Sequence, residues 1–520
     1  MPLAPVIIPP RRSLVLYALL AILTVIASYL FILLLAVACV WLPIYGLLHI
    51  DTVNLRVLLE LVLLSLGGIV VAGTLLWSLV PRRDQFNAPG PMLERSAHPR
   101  FFGELDQIAA SLNEAVPHEV YLIGEPNAFV SDRGGILGVG SRRVMGIGLP
   151  FLSTLSVSEL RAVLAHEFGH YYGGDTKLGP WVYKTQKAMV RALENLGSVQ
   201  EGWGIQIIQI LFVVVFSLLK WSFGGFLRVI NFISRKQEFR ADELACIVAG
   251  MPPQMQSLKK VRAAAAAWPS YWGTEVVPVL GQGWIPSIGE GFSRYLAAPG
   301  IAAQVVTIVE KSIAEEKTGP YDTHPPLRER LRATEMLKVE ERQQEVQAAS
   351  SLFDDPGLLE LQFVKFLHPE LNKAGLQPVA WDDVGKTVMI PSWKSTVFQY
   401  SALVKEVTPE SLPDLVPHLG QLGAQMRDPV GRILTGQERA QRMADFLVIA
   451  LQLALLENGW ELVNQPGVFY LHRGDEKIVP QAAVYELASG KITREAWSAR
   501  CAELGITQTA LSSLGEPSAA

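Results

Sequence analysis

Two long apolar runs near the start of the chain set its broad class. Residues 13–48 contain no charged side chain, and a second uncharged run covers residues 61–80. Each is long enough for a membrane-spanning helix, which needs about 20 residues. The first run also exceeds the roughly 7–15-residue apolar core of a cleaved secretory signal. The pattern therefore predicts a retained pair of transmembrane helices.

Basic residues around this pair predict its orientation. Arg11 and Arg12 precede the first run, and Arg82 and Arg83 follow the second. The polar turn between the runs, residues 49–56, contains a single basic residue of the Lys/Arg type. Because short cytoplasmic segments are rich in Lys and Arg, both outer ends should lie in the cytoplasm. We therefore expect a multi-pass integral protein of the cell membrane, with the segment after residue 83 facing the cytoplasm.

The segment that follows contains a metal-binding pattern. Residues His166-Glu167-Phe168-Gly169-His170 read H-E-x-x-H. On a helix, residues four apart lie on one face, so both imidazoles can bind one metal ion. The glutamate between them can take a proton from water at that metal. The alternative is a plain helix with two histidines and no metal.

Local signals place this pattern on a helix. Ser156 and Glu159 form a capping box ahead of it. Apolar residues recur at helical spacing within residues 160–164, and Gly173-Gly174 supplies a stop signal.

A third protein ligand is needed to hold zinc and leave one position open. Glu238 and Asp242 are four residues apart, just before the apolar stretch 243–248. One carboxylate can bind the metal, while the other can accept the N–H of a ligating histidine. An ordinary charged helix start is the alternative interpretation.

Four motifs in a fixed order resemble one known family. The chain is similar to the HtpX-like membrane zinc endopeptidases, relatives of the CAAX prenyl proteases, from about residue 93 to about residue 337. The resemblance rests on Pro126-Asn127-Ala128-Phe129, on H-E-F-G-H at 166–170, on S-R-K-Q-E-F-R-A-D at 234–242, and on Thr323-His324-Pro325-Pro326 followed by Arg330.

The resemblance implies one zinc ion per chain and assigns its ligands. His166, His170 and Glu238 would bind the zinc. Glu167 would be the general base, and Asp242 would orient a ligand. Zinc lowers the pKa of its water towards about 7, so a neighbouring carboxylate can act as a base near neutral pH.

The resemblance also implies how substrate is held. His324 and Arg330 would stabilise the oxyanion of the tetrahedral intermediate, and Asn127, Ala128 and Phe129 would belong to an edge strand that binds substrate backbone. Each of these residues has an alternative role outside the site. His324 could be a surface histidine in a turn, Arg330 could lie on a solvated helix face, and Asn127 could be a turn residue.

The strand pattern before the metal motif predicts a small sheet. A helix at 101–115 precedes a strand at 119–123. Residues 129–130 and 136–139 flank a turn like a hairpin, and residues 144–147 add another strand.

A third apolar region, residues 202–233, separates the histidines from Glu238. If both are to reach one metal ion, this region must cross the membrane an even number of times, and it is too short for two full spans of about 20 residues each. A compressed hairpin, a re-entrant dip, a helix pair on the bilayer surface and a soluble core hairpin remain open. We prefer a partly embedded helical hairpin.

Composition excludes several classes of protein. The formal net charge is −4, which gives no indication of a nucleic-acid surface. Three scattered cysteines, Cys39, Cys246 and Cys501, form neither a zinc pattern nor a disulfide framework. A reducing compartment is therefore expected for the soluble part.

These patterns predict three domains. Residues 1–92 form the membrane anchor, residues 93–337 the zinc peptidase domain, and residues 338–520 a C-terminal domain of unknown role that begins with a charged linker or helix at 338–350. The predicted fold is mainly α and membrane-anchored α+β: a transmembrane helix pair, a zincin-type helical metalloprotease domain with a small β-sheet, and a separate C-terminal α+β domain. Residues 446–456 should form a core helix, and Trp381 and Trp393 flank strand-like pieces.

The expected function is that of an integral membrane zinc endopeptidase. Its partners would be a peptide or protein substrate and the lipid bilayer. A processing enzyme for a lipidated or defined peptide shares the chemistry. A membrane-anchored, non-proteolytic binding or chaperone-like protein that retains a metal site is the alternative from a different class. The sequence does not specify the substrate or the oligomeric state.

Overall fold

The computed structural model of the chain describes residues 12–49, 54–80, 86–133, 142–170, 179–201, 206–370, 375–427 and 432–515. It is mainly helical with small sheets, which confirms the predicted fold class. The helices are α1 (Arg12–Leu48), α2 (Leu55–Leu79), α3 (Pro99–Leu112), α4 (Leu149–Thr154), α5 (Val157–Gly169), α6 (Gly179–Glu201), α7 (Gln206–Ala249), α8 (Met251–Tyr271), α9 (Val277–Leu280), α10 (Ile288–Ala297), α11 (Pro299–Glu315), α12 (Leu327–Glu335), α13 (Pro356–Leu367), α14 (Trp381–Val384), α15 (Ile390–Gln399), α16 (Leu412–Leu415), α17 (Leu419–Gly423), α18 (Gly436–Glu457), α19 (Pro480–Ala488) and α20 (Arg494–Leu504). The strands are β1 (Glu119–Ile123), β2 (Ala128–Arg133), β3 (Arg142–Gly148), β4 (Trp284–Pro286), β5 (Gln377–Val379), β6 (Glu461–Gln465), β7 (Val468–Arg473) and β8 (Glu476–Ile478).

The chain divides into two compact units. The first contains residues 1–265 and 307–354, and the second contains residues 266–306 and 355–520. The three domains predicted from the sequence remain a prediction. The compact units differ from that linear division because residues 266–306 group with the C-terminal region and residues 338–354 group with the first unit.

An apolar helical bundle forms one part of the first unit. Helices α1, α2, α6 and α7 share a core that includes Ile32, Leu75, Met189 and Phe212. A Cβ atom on Gly68 would lie 2.0 Å from the carbonyl oxygen of Cys39, so only glycine allows α1 and α2 to approach this closely.

Within the described residues, three helices are long and apolar enough to cross a membrane: α1, α2 and α7. Both helices of the predicted N-terminal pair are among them, and the turn residues 50–53 lie outside the described residues. The consecutive helices α10 and α11, bent by 78°, would add a fourth candidate if they counted as one broken span.

The predicted helical hairpin within residues 202–233 is wrong. Residues 206–249 form one continuous helix, so the segment 234–242 lies in the middle of a helix rather than at a helix start. Gly224-Gly225 does not interrupt α7, because a glycine only weakens a helix by about 1 kcal/mol and packing against α1 and α2 compensates. The hairpin is formed instead by α6 and α7, which pack together.

The contacts of α6 and α7 with α2 show how far this hairpin reaches. Ile208, near the start of α7, packs against Gly67 in the middle of α2. Towards the end of α2, the Ser78 carbonyl accepts a 3.0 Å bond from Arg191 of α6, and the Ser78 hydroxyl accepts a 2.9 Å bond from Asn195. The first turn of α7 therefore lies level with the middle of α2.

A small sheet lies beside α5. In the described part of the chain, β3 is central, parallel to β1 and antiparallel to β2, so β2 is an edge strand. The predicted strands at 119–123 and 144–147 are confirmed. The partner of β2 is β3 rather than residues 136–139, which lie outside the described residues.

Residues 338–348 are not a helix, although the sequence left that possibility open. They run alongside the start of α5, where the Val157 amide donates to the carbonyl of Gln347 and the Ser158 hydroxyl accepts from the Glu345 amide. The buried Arg161 of α5 pairs with Glu104 and Glu345. This segment therefore helps to fix the metal-motif helix.

The second unit has its own core. Helix α18 crosses the core and contains the predicted apolar run 446–456, which is buried there together with Trp460 and Trp497. The three strands β6, β7 and β8 form an antiparallel sheet, which confirms a C-terminal α+β region. Trp381 follows β5 closely, as predicted, at the start of α14, whereas Trp393 lies within α15 with no strand beside it in the described sequence. Their rings are buried, and packing overrides the weak strand preference.

Candidate metal centre

Helix α5 presents the two histidines towards α7. The predicted capping box fixes its start, because Ser156 accepts from the Glu159 amide and Glu159 accepts from the Ser156 amide. The helix ends at Gly169, and the predicted stop signal at 173–174 lies outside the described residues. His170 is the residue that follows the last turn and keeps a helical conformation.

A glycine in the metal motif allows α5 and α7 to approach each other. A Cβ atom on Gly169 would lie 2.9 Å from the Cα atom of Ala241. Any larger residue at position 169 would therefore push α7 away from α5. This close contact brings Glu238, three residues before Ala241, within reach of both histidines.

The side chains of His166, His170 and Glu238 converge on one point. The two Nε2 atoms of the histidines are 3.2 Å apart. Glu238 Oε2 lies 3.5 Å from His166 Nε2, and Glu238 Oε1 lies 3.4 Å from His170 Nε2. Among the described residues, this is the cluster of metal-binding side chains that could hold an ion.

This geometry fits a tetrahedral metal site. Zinc binds histidine nitrogen and carboxylate oxygen at about 2.0–2.2 Å, so the edge of the coordination tetrahedron is about 3.3–3.6 Å. The two histidine nitrogens, 3.2 Å apart, are close to that edge, and each lies 3.4–3.5 Å from a different oxygen of the Glu238 carboxylate. Two imidazoles and one carboxylate also leave a fourth position open, as a catalytic site requires.

Asp242 lies behind the His166 ring. Its Oδ1 atom is 3.0 Å from His166 Nδ1, on the side of the ring away from His170. A carboxylate in this position fixes the orientation of the imidazole and raises its basicity. Gln254 of α8 donates a 2.8 Å bond to the same oxygen and is itself buried.

Arg330 of α12 binds the two carboxylates of α7. Its Nε and Nη2 atoms donate to Asp242 at 2.8 and 2.6 Å, and its Nη1 atom lies 3.3 Å from Glu238. Burial lowers the pKa of this guanidinium, but the charges and hydrogen bonds of Asp242 and Glu238 outweigh burial and raise that pKa. Arg330 therefore compensates the negative charge of Asp242 and Glu238 in the protein interior.

Burial sets the acidity of Glu167. The apolar surroundings raise the pKa of its carboxyl to about 7, against the opposing charge of His166 and with a further rise from Glu238. A carboxylate with a pKa near neutrality has the basicity that proton abstraction requires.

The two imidazoles differ strongly in basicity when no cation lies between them. Burial lowers the pKa of His166, but hydrogen bonds to Asp242 and Glu238 outweigh burial and raise that pKa to about 10. Burial and the charge of His166 lower the pKa of His170 to about 4. Binding of a metal to both rings must therefore displace a proton, and metal affinity should fall as the pH falls.

His324 reaches the same carboxylate from the loop before α12. Its Nδ1 atom lies 2.9 Å from Glu238 Oε1, and its side chain is 65% exposed. The ring therefore borders the metal centre and remains open to a ligand from solvent.

The predicted substrate-binding residues lie at the start of β2, which packs against α5. Asn127 is exposed and precedes the strand, while Ala128 is buried and pairs with Ile147. The Phe129 ring covers Gly146, where a Cβ atom would lie 2.3 Å from the ring. The sheet therefore offers an edge strand beside the metal-motif helix, as the sequence predicted.

Gln254 was not anticipated from the sequence. It shares its face of α8 with the buried polar Ser257, so no local pattern singles it out.

Comparison with known proteins gives a consistent result. Residues 102–338 match peptidase family M48. The chain is similar to protease HtpX homolog 2 of Methanosarcina mazei, with 24% identity over 265 residues that cover 49% of this chain and 76% of the relative. It is also similar to the protease HtpX homologs of Ralstonia nicotianae (27% over 234 residues, 43% and 76%) and Chlorobium phaeobacteroides (24% over 249 residues, 45% and 70%).

No solved structure matches the chain significantly. The matched family region ends at residue 338, so most of the second unit lies outside it. The region that does match contains the His-His-Glu cluster and is preceded by helices apolar enough to span a membrane. Residues 102–338 therefore match peptidase family M48, and the chain is similar to the HtpX-like membrane metalloproteases.

Proposed function

We propose that the protein is a zinc endopeptidase that cleaves membrane-associated proteins or peptides on the cytoplasmic side of the membrane. The observation that carries this proposal is the triangle of His166, His170 and Glu238, with Glu167 on the same turn of α5. The 3.2 Å separation of the two histidine nitrogens fits one tetrahedral ion, and an oxygen of Glu238 lies within 3.5 Å of each of them.

Each residue then has a chemical task. Zinc, when bound, polarises the scissile carbonyl and acidifies the attacking water. Glu167 takes the proton of that water and passes it to the leaving amine. His324, exposed at the rim of the site, donates to the oxyanion. Arg330 supports this step from a greater distance, because its guanidinium holds Asp242 and Glu238 in place.

Substrate backbone would bind along β2. An edge strand has unpaired backbone groups and can pair with an extended peptide. Because β2 packs against α5, a peptide paired with residues 127–129 would run past Glu167. This mode of binding recognises main chain rather than side chains and so fits an endopeptidase of broad specificity.

Helix α7 connects the membrane bundle with the metal centre. Its first turns pack in the bundle against α2, and its later turns carry Glu238 and Asp242. Because one uninterrupted helix joins both regions, the site is held at a fixed distance from the bilayer. We propose on this basis that its natural substrates are membrane-associated.

Metal-dependent proteolysis tests the proposed function. Purified protein in detergent should cleave an unfolded substrate such as casein, lose activity with a chelator and recover it with about one equivalent of zinc. The measurement is the appearance of new peptide termini by mass spectrometry. Cleavage that persists after complete removal of the metal would contradict the proposal.

The proposed topology predicts which positions share a side of the membrane. The α6–α7 hairpin should enter the bilayer only to the level of Gly67 and return, so both of its ends face the cytoplasm. On a background lacking Cys39, Cys246 and Cys501, Gln186→Cys and Lys236→Cys should react with an impermeant maleimide from the same side. His49→Cys should react from the other side.

Labelling of positions 186 and 236 from opposite sides would make α7 a single complete span. That result would be inconsistent with a cytoplasmic hairpin and with the shared position of His166 and Glu238.

A further inference from the structure

One face of α7 carries more than the metal ligand. Arg228, Asn231, Arg235, Glu238 and Asp242 follow one another at spacings of three or four residues, so they lie along one stripe of the helix. Glu238 and Asp242 belong to the metal centre. The three preceding residues contact the loop that leads to His324, a role that the S-R-K-Q-E-F-R-A-D motif does not reveal.

Two of these residues hold the loop backbone. Asn231, which is buried, donates a 2.7 Å bond from Nδ2 to the carbonyl oxygen of Tyr321. Arg235 donates from Nη1 to the carbonyl of Asp322 at 2.6 Å and lies 3.5 Å from the carbonyl of Gly319. The carbonyls of residues 321 and 322 are thus fixed three and two positions before His324.

Further contacts close the loop on itself and onto the helix. The Asp322 carboxylate accepts a 2.6 Å bond from the Gly319 amide. The Arg228 guanidinium lies 5.5 Å from the centre of the Tyr321 ring, and the Tyr321 hydroxyl would lie 3.4 Å from a Cβ atom on Gly224. The Tyr321 side chain therefore lies against α7 beside Gly224.

His324 depends on these anchors because its own side chain has little packing. It is 65% exposed, and its contact in the metal centre is with Glu238 of the same helix. On its other side, the two prolines fix the chain direction, and Arg330 in the following helix is bound to Asp242. A donor to a transition state must be held in place before the reaction, and an exposed loop side chain achieves this only through its backbone.

We propose that Asn231 and Arg235 are positioning residues that clamp the 319–322 loop on α7 and so place His324 over Glu238. The inference rests on the proposed endopeptidase function of the same site. It makes α7 the common support of the metal ligand, the residue that orients His166 and the loop that carries the oxyanion donor.

A double-mutant cycle tests this role. Arg235→Gln should lower kcat about tenfold, with KM changed less than about twofold and zinc content unchanged, as for loss of a supporting contact. Arg235→Lys, which keeps the charge and a donor, should recover most of the activity. The matched control is Lys236→Gln, which removes the same charge from the next, exposed position and should have no effect.

Combining these substitutions with His324→Ala shows whether Asn231 and Arg235 act by positioning His324 or by supporting the fold in general. In a His324→Ala background, Arg235→Gln and Asn231→Leu should each lower kcat by less than about a further twofold. The side chain that they position is already absent in that background. A full tenfold additional loss, or a wild-type kcat for Arg235→Gln alone, would overturn the proposal.

Hydrogen exchange provides a readout that does not depend on proteolysis. The amides of residues 319–324 should exchange faster in Arg235→Gln protein than in the wild type, and Lys236→Gln should leave them unchanged. If the wild type fails to cleave any peptide, the proposed function fails while exchange still reports on the clamp. Unchanged exchange in Arg235→Gln would contradict the clamp itself.

Discussion

Glu167→Gln protein is expected to keep its zinc and lose almost all peptidase activity. Glutamine has the same shape as glutamate but cannot accept a proton from the attacking water. Loss of a general base typically lowers the rate by about 10²–10⁴-fold. The three metal-binding side chains remain, so the metal content should not change. Turnover of the variant and the wild type on the same substrate, with zinc measured in both, provides the test.

The same residue should set the acid limb of the pH profile. Burial raises the pKa of Glu167 to about 7 in the metal-free protein, and a neighbouring cation would lower it. Glu167 is ionised, and so can act as a base, only above its pKa. We therefore expect kcat/KM to fall about tenfold for each pH unit below that pKa, which lies at or below about 7. The residual activity of Glu167→Gln should lack this limb.

This variant also distinguishes the two classes of function that the sequence leaves open. A membrane-anchored binding or chaperone-like protein has no use for the base, so its activity would survive the substitution. Loss of activity in Glu167→Gln would therefore favour the peptidase over the binding protein. Undiminished cleavage by this variant would remove Glu167 from the mechanism.

Glu238→Gln protein is expected to lose its zinc and, with it, all metal-dependent activity. The neutral amide is a much weaker ligand than the carboxylate, and it also leaves Arg330 and His324 without the charge that they contact. The change is the same isosteric substitution as Glu167→Gln in the same cluster, so the two variants are matched controls for each other. Zinc bound at the wild-type level in Glu238→Gln would show that another residue is the third ligand.

The metal centre could be predicted from the sequence because its residues carry strong local signals. The capping box, the i, i+4 histidines and the pair Glu238 and Asp242 each constrain a helix face, and the structure brings these faces together. The two N-terminal helices were also predictable, because an uninterrupted apolar run has few other stable arrangements.

The structure of the segment between the metal-binding histidines and Glu238 could not be predicted. Residues 202–233 contain two adjacent glycines, yet α7 continues through them because neighbouring helices pack against it. The polar α6 gives no transmembrane signal. It joins the bundle through Arg191 and Asn195, which bind the end of α2, and such long-range partners are invisible in a local pattern.

The loop contacts of Asn231 and Arg235 and the bond from Gln254 to Asp242 were missed for the same reason. In each case the partner lies at least 12 residues away, and the residue itself is an ordinary polar side chain in a helix. The assignment of Arg330 to the oxyanion likewise came from a motif, whereas the structure shows its closest contacts with the two carboxylates of α7.

Metal content per chain tests the central claim most directly. Zinc should be measured by mass spectrometry in purified wild type, Glu167→Gln and Glu238→Gln, after dialysis against a weak chelator and with folding checked by circular dichroism. The account predicts about one zinc per chain in the wild type and in Glu167→Gln, and almost none in Glu238→Gln. Equal zinc in the two variants, or none in the wild type, would contradict a metal centre built from His166, His170 and Glu238.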